Sequence, residues 1–191
     1  ATKTLVELAR EDDRIQVITA AMQLGTGTAA FEKAFPKRYF DVGIAEEHAV
    51  TMCAGMATGG LLPFFFVYST FLQRGYDQVL HDVCIQNLPV VFMLDRAGVS
   101  NEDGQSHQGL YDIAYLRHIP NMTLIAPANG DELVLALRAA YELGAPCAIR
   151  YPKSVVSLPD GYAVSSFALG KWETLRQGKD GVVLATGSMT A

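Results

Sequence analysis

The feature that most constrains this chain is a regular alternation of short apolar runs with longer helical patterns. The runs are rich in β-branched and aromatic residues and have few polar positions, which is typical of strands buried on both faces. Helical patterns separate them, beginning with KTLVELARE near the amino terminus. This order predicts an α/β fold, in which a mostly parallel sheet has helices on both faces. The predicted strands are IQVITA, PFFFVYS, PVVFMLD, MTLIAP and PCAIRYP.

Length and composition narrow the possible partners. The chain has 191 residues, half of them hydrophobic, which suffices for one domain with a sizeable core. Fifteen Lys and Arg against twenty Asp and Glu give a net charge of -5, and no basic run occurs, so we expect no nucleic-acid partner. The most apolar run, LLPFFFVY, is too short to cross a bilayer and no signal peptide opens the chain, so we expect no membrane partner. A small molecule is the default ligand.

Cysteine and histidine spacing predicts neither a disulfide framework nor a metal site. Cys53, Cys84 and Cys147 are far apart, odd in number and embedded in apolar runs, which indicates reduced structural thiols and a reducing compartment. The four histidines have no CxxC, HxxxH or HExxH companion, so no metal ligand is expected.

The pattern changes at Ser154. From there, Pro, Gly and charged turns separate short strand-like runs without helices, and the chain ends in VVLATGSMTA. We interpret residues 1–153 as one domain and residues 154–191 as a linker and the start of a truncated further domain. Because the chain opens on Ala1 rather than Met, we expect a fragment of a longer protein.

Three arginines stand at predicted strand ends. In open parallel sheets, ligands gather beyond the carboxyl ends of the strands. Arg74 follows PFFFVYS, Arg96 follows PVVFMLD and Arg150 ends PCAIR. Guanidinium groups at a shared rim predict a pocket for a phosphate or carboxylate, although for any one of them alone a surface or ion-paired role is the plainer alternative.

The strand PFFFVYS runs directly into the helical pattern TFLQRGYDQVLHDV. Tyr68 and Phe71 fall at this junction, at or just after the strand end. We expect Ser69 or Thr70 to cap the helix.

A polar loop, AGVSNEDGQSHQGLYD, follows Arg96. Loops of this length are uncommon in compact domains unless they bind something. Its His107 is the one group there able to move a proton near neutral pH, although a solvated loop histidine is the plainer alternative. The pair Asp103-Gly104 could be simply a turn.

The segment QLGTGTAAF is a near match to the dinucleotide fingerprint G-x-G-x-x-A, with Asp41 downstream. Four residues separate the strand from Gly25, and the following helix is short. Nicotinamide or flavin binding is therefore a weak alternative.

The segment YFDVGIAEEHAVTMCAGMATGG carries three adjacent ionisable residues in an otherwise small and apolar run. If residues 45–58 are helical, spacings of three, four and seven place Glu46 on the apolar face and Glu47 toward solvent. His48 falls on a flank of small residues, where we expect packing or hydrogen bonding. A carboxyl group facing a core is costly unless it is paired or protonated. Glu46 is thus functional, or is satisfied by a buried amide or by capping its own helix.

Several strings together carry a resemblance to a known family. DVGIAEEHAV, YSTFLQRGYDQVLHDV, DRAG, DGQSHQG and IRYP closely resemble the central pyrimidine-binding domain of the 1-deoxy-D-xylulose-5-phosphate synthase family. These synthases are thiamine diphosphate enzymes of the transketolase superfamily. GIAEEH and DGQSHQG would also fit transketolases, whereas YSTFLQRGYDQV favours the synthases. The resemblance runs from about the first helix to Lys153, and the tail resembles the start of the family's third domain.

The resemblance implies a transferase that condenses pyruvate with glyceraldehyde 3-phosphate. CO2 is lost through a thiamine diphosphate enamine, and the product serves isoprenoid and thiamine precursor biosynthesis. A homodimer in the bacterial cytoplasm or plastid stroma is implied. The family binds the diphosphate through Mg²⁺ and a GDG motif of an amino-terminal domain, and no GDG occurs here. We therefore expect this chain alone to be inactive.

Alternatives remain at this point. They are a transketolase, a pyruvate dehydrogenase beta-type subunit, or a noncatalytic α/β ligand-binding domain.

The resemblance also implies roles for individual residues. Glu46 would hydrogen-bond N1′ of the cofactor's aminopyrimidine, Phe71 would stack on that ring, and Ile44 would help hold the bent cofactor. Asp103 and His107 would contact the reacting substrate atoms, with His107 a candidate proton donor or acceptor. The residues in or near the substrate phosphate pocket would be Tyr68, Arg74, Arg96 and Arg150.

Overall fold

The computed structural model describes residues 1–100, 103–153 and 167–190. Six strands form one parallel sheet in the order β2-β1-β3-β4-β6-β5, so the predicted α/β architecture is confirmed. The strands are β1 (Ile15–Thr19), β2 (Tyr39–Asp41), β3 (Leu62–Tyr68), β4 (Val91–Asp95), β5 (Thr123–Ile125) and β6 (Cys147–Arg150).

Helices connect the strands. A 3-10 turn follows α3 at Pro36–Arg38, and further 3-10 turns lie at Gln73–Gly75, Gln105–His107 and Gly187–Thr190. The α-helices are α1 (Thr2–Glu11), α2 (Gln23–Thr26), α3 (Ala29–Ala34), α4 (Glu46–Thr58), α5 (Ser69–Leu72), α6 (Tyr76–Gln78), α7 (Asp112–Leu116) and α8 (Gly130–Leu143).

The sheet separates two cores because successive strand residues point to opposite faces. On one face, Phe65 and Phe92 pack with buried residues of α4. On the other, Phe64 and Phe66 pack with buried residues of α1 and α8. Burial of every residue from Leu62 to Val67 explains why β3 lacks polar alternation.

The segment after β3 is not the single capped helix that its sequence predicts. The helix begins at Ser69 with Tyr68 at the cap position, and no side chain caps it, so the expected Ser69 or Thr70 cap is wrong. Helical geometry then changes repeatedly, ending in a π-helix at Val79–Cys84. Close packing on α4 accompanies the irregularity, since a Cβ atom on Gly75 would lie 3.0 Å from Val50 Cγ2 and 3.5 Å from the Glu46 carbonyl oxygen.

The tail differs from expectation in its described part. Residues 167–190 contain no strand, although VVLATG has the composition of one. A strand needs a hydrogen-bonded neighbour, and Val182 and Val183 are 86% and 92% exposed. The strand-like run SLPDGYAV lies outside the described residues. The predicted domain boundary between residues 153 and 154 falls at the edge of the same undescribed segment.

All three cysteines are free and buried, as expected of structural thiols. Burial raises the pKa of the Cys84 and Cys147 thiols to about 12, and raises that of Cys53 as well. In the described part of the chain, no helix has the length and apolar character needed to cross a membrane. The same residues contain no group of three or more His, Cys, Asp and Glu side chains suited to a metal ion.

Candidate active site

The carboxyl ends of β3, β4 and β6 lie side by side at one edge of the sheet. Tyr68 is opposite Asp95, and Leu94 is opposite Arg150, in the parallel register. This alignment brings the chain segments that follow these strands into one neighbourhood, where ligands of parallel sheets bind.

Glu46 is the first residue of α4 and is only 2% exposed. Its burial beside Ala49, Val50 and Cys53 confirms the helical face predicted from spacing. The Oε2 atom is buried without a hydrogen-bond partner among the described residues, and Arg74 Nη1 lies 4.0 Å from it. Neither a buried amide nor a self-cap therefore satisfies this oxygen. The helix amino terminus favours negative charge at the position.

The other two ionisable residues of this segment face solvent. Glu47 is exposed, as predicted. His48 is exposed too and makes no hydrogen bond to any residue of the described part, so the expected packing or bonding role is not seen within these residues. Gly55, on the same flank, is also exposed.

Three aromatic rings form a wall at the end of β3. Tyr68 and Phe71 stack with ring centroids 5.9 Å apart and an interplanar angle of 24°. The His107 ring meets Phe71 edge-on at 5.1 Å and lies 6.3 Å from Tyr68. Arg74 reaches over the Phe71 ring, with Cζ 6.0 Å from its centroid. The structure thus brings together residues from two segments that the sequence analysis singled out separately.

Arg96 is buried rather than displayed. It is 8% exposed and adopts a left-handed backbone conformation, with φ of 58°. Its Nε donates to Asp103 Oδ2 at 3.1 Å, and its Nη1 lies 3.3 Å from Asp95 Oδ1. Its Cζ stacks 3.8 Å from the centroid of the Tyr68 ring, a cation–π distance. Two carboxylates therefore lie within ion-pair distance of its guanidinium group.

Asp103 links Arg96 to two further donors. Ser100 Oγ donates to Asp103 Oδ2 at 2.9 Å, and Lys153 Nζ donates to Oδ1 at 3.2 Å. These hydrogen bonds, first that from Ser100 and then that from Lys153, lower the pKa of the Asp103 carboxyl. Burial instead raises the pKa of Asp95. Asp103 is thus the better stabilised of the two anions beside Arg96.

Arg150 is held by a fully buried carboxylate. Its Nε donates to Asp112 Oδ2 at 2.9 Å and its Nη2 donates to Oδ1 at 3.3 Å, a bidentate geometry. Asp112 is 1% exposed. Asp112 was not singled out as a site residue from the sequence, where the one signal is the position of Asp112 at the start of a short helical run.

Ile44 takes a different position from the aromatic wall. It lies on the loop before α4 and is 78% exposed. Next to it, Gly43 has φ of 70°, and its N–H donates to Asp41 Oδ1 at 3.0 Å. The loop therefore presents Ile44 outward at the rim, two residues before Glu46.

The dinucleotide-like pattern has structural explanations. Asp41 Oδ1 also accepts a hydrogen bond from the Ala21 N–H at 2.8 Å, which ties the loops after β1 and β2 together. Gly27 ends α2 with φ of 68°, a left-handed cap that favours glycine. With only four residues, α2 lacks the long helix that a dinucleotide fold places against a diphosphate.

Comparison with known proteins identifies the fold and the family. Residues 1–158 match the family described as transketolase, pyrimidine binding domain. A split-gene transketolase, described as an inactive beta4 tetramer, superposes with a TM-score of 0.80 at 34% identity, over 94% of this chain and 58% of that one. A Campylobacter jejuni transketolase superposes with a TM-score of 0.70 at 21% identity, over 78% of this chain and 25% of that one, and shows the fold alone.

Curated relatives are more similar in sequence. A 1-deoxy-D-xylulose-5-phosphate synthase of Clostridium acetobutylicum is 55% identical over 188 residues, and one of Thermomicrobium roseum is 56% identical over 189 residues. The alignments cover 98% and 97% of this chain, but the chain spans only 30% of the length of each relative. From the match over residues 1–158 and the shared fold, the chain belongs to the transketolase pyrimidine-binding domain family.

Proposed function

We propose that this chain is the pyrimidine-binding part of a 1-deoxy-D-xylulose-5-phosphate synthase, which condenses pyruvate with glyceraldehyde 3-phosphate and releases CO2. More than half of the residues are identical to those of synthases so named, along nearly the whole chain. The product would feed isoprenoid and thiamine precursor biosynthesis.

The observation that carries this proposal is the unpartnered Oε2 of the buried Glu46. A buried polar atom without a partner costs about 1–3 kcal/mol. Such an atom is understandable where a ligand supplies the partner. The aminopyrimidine of thiamine diphosphate offers N1′, a ring nitrogen with which a carboxyl group shares a proton. The apolar surroundings of Glu46 and the nearby aromatic wall fit a heteroaromatic ring.

Different residues of this chain would have different roles toward the cofactor. When bound, thiamine diphosphate supplies the carbon nucleophile that takes up pyruvate and lets CO2 leave. Glu46 holds or moves the proton at N1′, Phe71 stacks on the pyrimidine, and Ile44 supports the bent cofactor. Because no GDG motif occurs in the sequence, we propose that Mg²⁺ and the diphosphate are bound by an amino-terminal domain outside this chain.

The substrate phosphate would bind beside the aromatic wall. Tyr68 and Arg96 are stacked there, and Arg96 shares Asp103 with Lys153. A phosphate can replace a carboxylate between two such cations because its oxygens can accept hydrogen bonds from both. The remaining residues of this proposed pocket are Arg74 and Arg150.

Asp103 and His107 are proposed to face the reacting atoms of the substrate. The His107 ring lies against Phe71. The imidazole would therefore lie close to a cofactor ring that stacks on Phe71. His107 would give or take a proton there, since imidazole is the side chain suited to this near neutral pH.

We further propose the larger setting of the domain. Residues 1–153 would form the pyrimidine-binding domain, and residues 154–191 a linker and the start of a carboxyl-terminal domain. The full-length enzyme would be a homodimer of the bacterial cytoplasm or plastid stroma.

Substitution of Glu46 tests the proposal in the full-length enzyme. Glu46→Gln keeps the size of the side chain but cannot carry the proton, so we expect exchange of the cofactor's C2 proton to slow by about 10²–10⁴-fold. Hydrogen–deuterium exchange at C2, followed by NMR, measures this directly. The matched control is Glu47→Gln, because Glu47 is adjacent and exposed. Equal exchange rates in Glu46→Gln and the parent would contradict the role.

Substrate choice separates the alternatives. The full-length enzyme should consume pyruvate and glyceraldehyde 3-phosphate together and release CO2. Use of a ketose phosphate as the donor would instead indicate a transketolase, and binding without turnover a noncatalytic domain. The isolated 191-residue chain should show no turnover, because the metal and diphosphate contacts would be absent.

A further inference from the structure

Gly25, the first glycine of the G-x-G pattern, lies against the side chain of Tyr68. A Cβ atom built on Gly25 would be 1.6 Å from Tyr68 Oη and 2.6 Å from Cζ. Real Cβ atoms do not make contacts that short. The end of the phenol ring therefore occupies the space that any side chain at position 25 would need.

The two glycines of this pattern are glycine for different reasons. Gly27 has a positive φ, and a Cβ atom there would meet nothing within 4 Å. Gly25 is not among the residues with positive φ, so an alanine could adopt its backbone conformation. What position 25 requires is space for Tyr68.

The same short segment holds Tyr68 and Arg96 through its backbone and through Met22. The Gly25 carbonyl accepts a hydrogen bond from Arg96 Nη1 at 2.9 Å. The Tyr68 N–H donates to Met22 Sδ at 3.2 Å. Since Arg96 also stacks on the Tyr68 ring at 3.8 Å, one face of that ring is already covered.

We propose that Gly25 is a positioning residue of the acceptor pocket, which sets the separation between the Tyr68 hydroxyl and the Arg96 guanidinium and thereby selects phosphorylated aldehydes. This inference rests on the proposed function. With a methyl group at position 25, Tyr68 Oη must move by about 2 Å before the two atoms reach an ordinary contact of about 3.5 Å. Stacking on Arg96 restricts the direction of that movement, so hydroxyl and guanidinium can no longer meet one phosphate together.

Gly25→Ala in the full-length enzyme tests the role through acceptor affinity. We expect the KM for glyceraldehyde 3-phosphate to rise about tenfold or more, because displacements of this size are costly in a positioned site. The KM for unphosphorylated glyceraldehyde should change by less than about twofold, since it lacks the phosphate that the pair would hold. Gly130→Ala is the matched control, because Gly130 has no positive φ and no neighbour within 4 Å of an added Cβ. Equal KM changes for the two aldehydes would overturn the proposal.

A second variant shows whether Gly25 acts through Tyr68. In a Tyr68→Ala background the obstructing ring is gone, so Gly25→Ala should change the KM for glyceraldehyde 3-phosphate by less than about twofold further. If the effects of Gly25→Ala and Tyr68→Ala on this KM simply multiply, Gly25 does not act through Tyr68 and the proposal is overturned. A small further change in the Tyr68→Ala background also excludes misfolding of Gly25→Ala as the cause, because removal of the Tyr68 ring would not restore a lost fold.

A binding measurement keeps this inference separate from the proposed function. If the full-length parent does not turn over pyruvate and glyceraldehyde 3-phosphate, the proposed function fails. Calorimetry with inorganic phosphate still measures the pocket, and Gly25→Ala should weaken phosphate binding about tenfold. Equal phosphate affinity in the parent and Gly25→Ala, or no phosphate binding by the parent, would overturn the positioning role.

Discussion

Two helix starts in this molecule bury a carboxyl group and treat it in opposite ways. Glu46 opens α4 and Asp112 opens α7, and the two residues are 2% and 1% exposed. Asp112 accepts two hydrogen bonds from Arg150 and one from the Ile113 N–H at 2.9 Å. Glu46 Oε2 accepts none from the described residues. Burial alone therefore does not distinguish a structural carboxylate from a candidate functional one, whereas the number of partners does.

The difference has an energetic meaning. The Asp112–Arg150 pair offsets its own desolvation with bidentate geometry and fixes the end of β6. Among the described residues, the one opposite charge paired with Glu46 is Arg74, at 4.0 Å, and that side chain is 53% exposed, so solvent screens the interaction. A protein retains a group in such a position when a function requires it, often at some cost in stability.

Removing the partnered carboxylate should have the largest effect on stability. Asp112→Ala leaves the Arg150 guanidinium, whose side chain is 16% exposed, without its counter-ion. We expect the free energy of unfolding to fall by about 3–5 kcal/mol, measured by urea denaturation of the 191-residue chain. Asp131→Ala is the control, since Asp131 is an exposed carboxylate in the first turn of α8 and should change stability by less than about 0.5 kcal/mol. Similar losses of unfolding free energy from Asp112→Ala and Asp131→Ala would contradict a structural role for the Asp112–Arg150 pair.

Removing the unpartnered carboxylate should barely affect stability. Glu46→Gln breaks no hydrogen bond among the described residues, so we expect the free energy of unfolding to change by less than about 1 kcal/mol. The same urea experiment measures it beside Asp112→Ala. A loss as large as that of Asp112→Ala would show that Glu46 is a structural residue.

The smallest expected effect concerns Asp103 and pH. Hydrogen bonds from Ser100 and Lys153 lower its pKa in the folded state. The stabilisation is thus complete above the ordinary pKa of 3.8 and is lost as the pH falls through the lower folded pKa. Urea midpoints of the parent and of Asp103→Asn should differ at pH 6 and converge at the acid end of this range. A constant difference at every pH would contradict the assignment.

The sequence was sufficient for features that depend on local periodicity. Continuous apolar runs predicted the parallel sheet because strands covered on both faces have no polar positions. Helical spacing placed Glu46 on the buried face and Glu47 in solvent, and both placements are observed. Each of these inferences uses residues only a few positions apart.

Features that depend on distant partners were not predictable. The fixed position of the Arg96 guanidinium was not predictable, because one of its acceptors, the Gly25 carbonyl, is 71 residues away in sequence. Gly25 resembled a glycine of the dinucleotide fingerprint, because Tyr68, the residue that packs on it, lies far away in sequence at the end of β3. The tail run VVLATG resembled a strand, although it has no strand beside it in the described residues.

The buried thiols have a practical consequence for experiments. Thiolates react with maleimides and disulfides, whereas thiols kept protonated by burial do not. Cys53, Cys84 and Cys147 are all buried thiols with raised pKa values, so we expect none of them to react with such reagents in the folded chain. A cysteine introduced at an exposed position, such as Val99 on the loop after β4, would take a fluorophore or spin label selectively without prior removal of native cysteines.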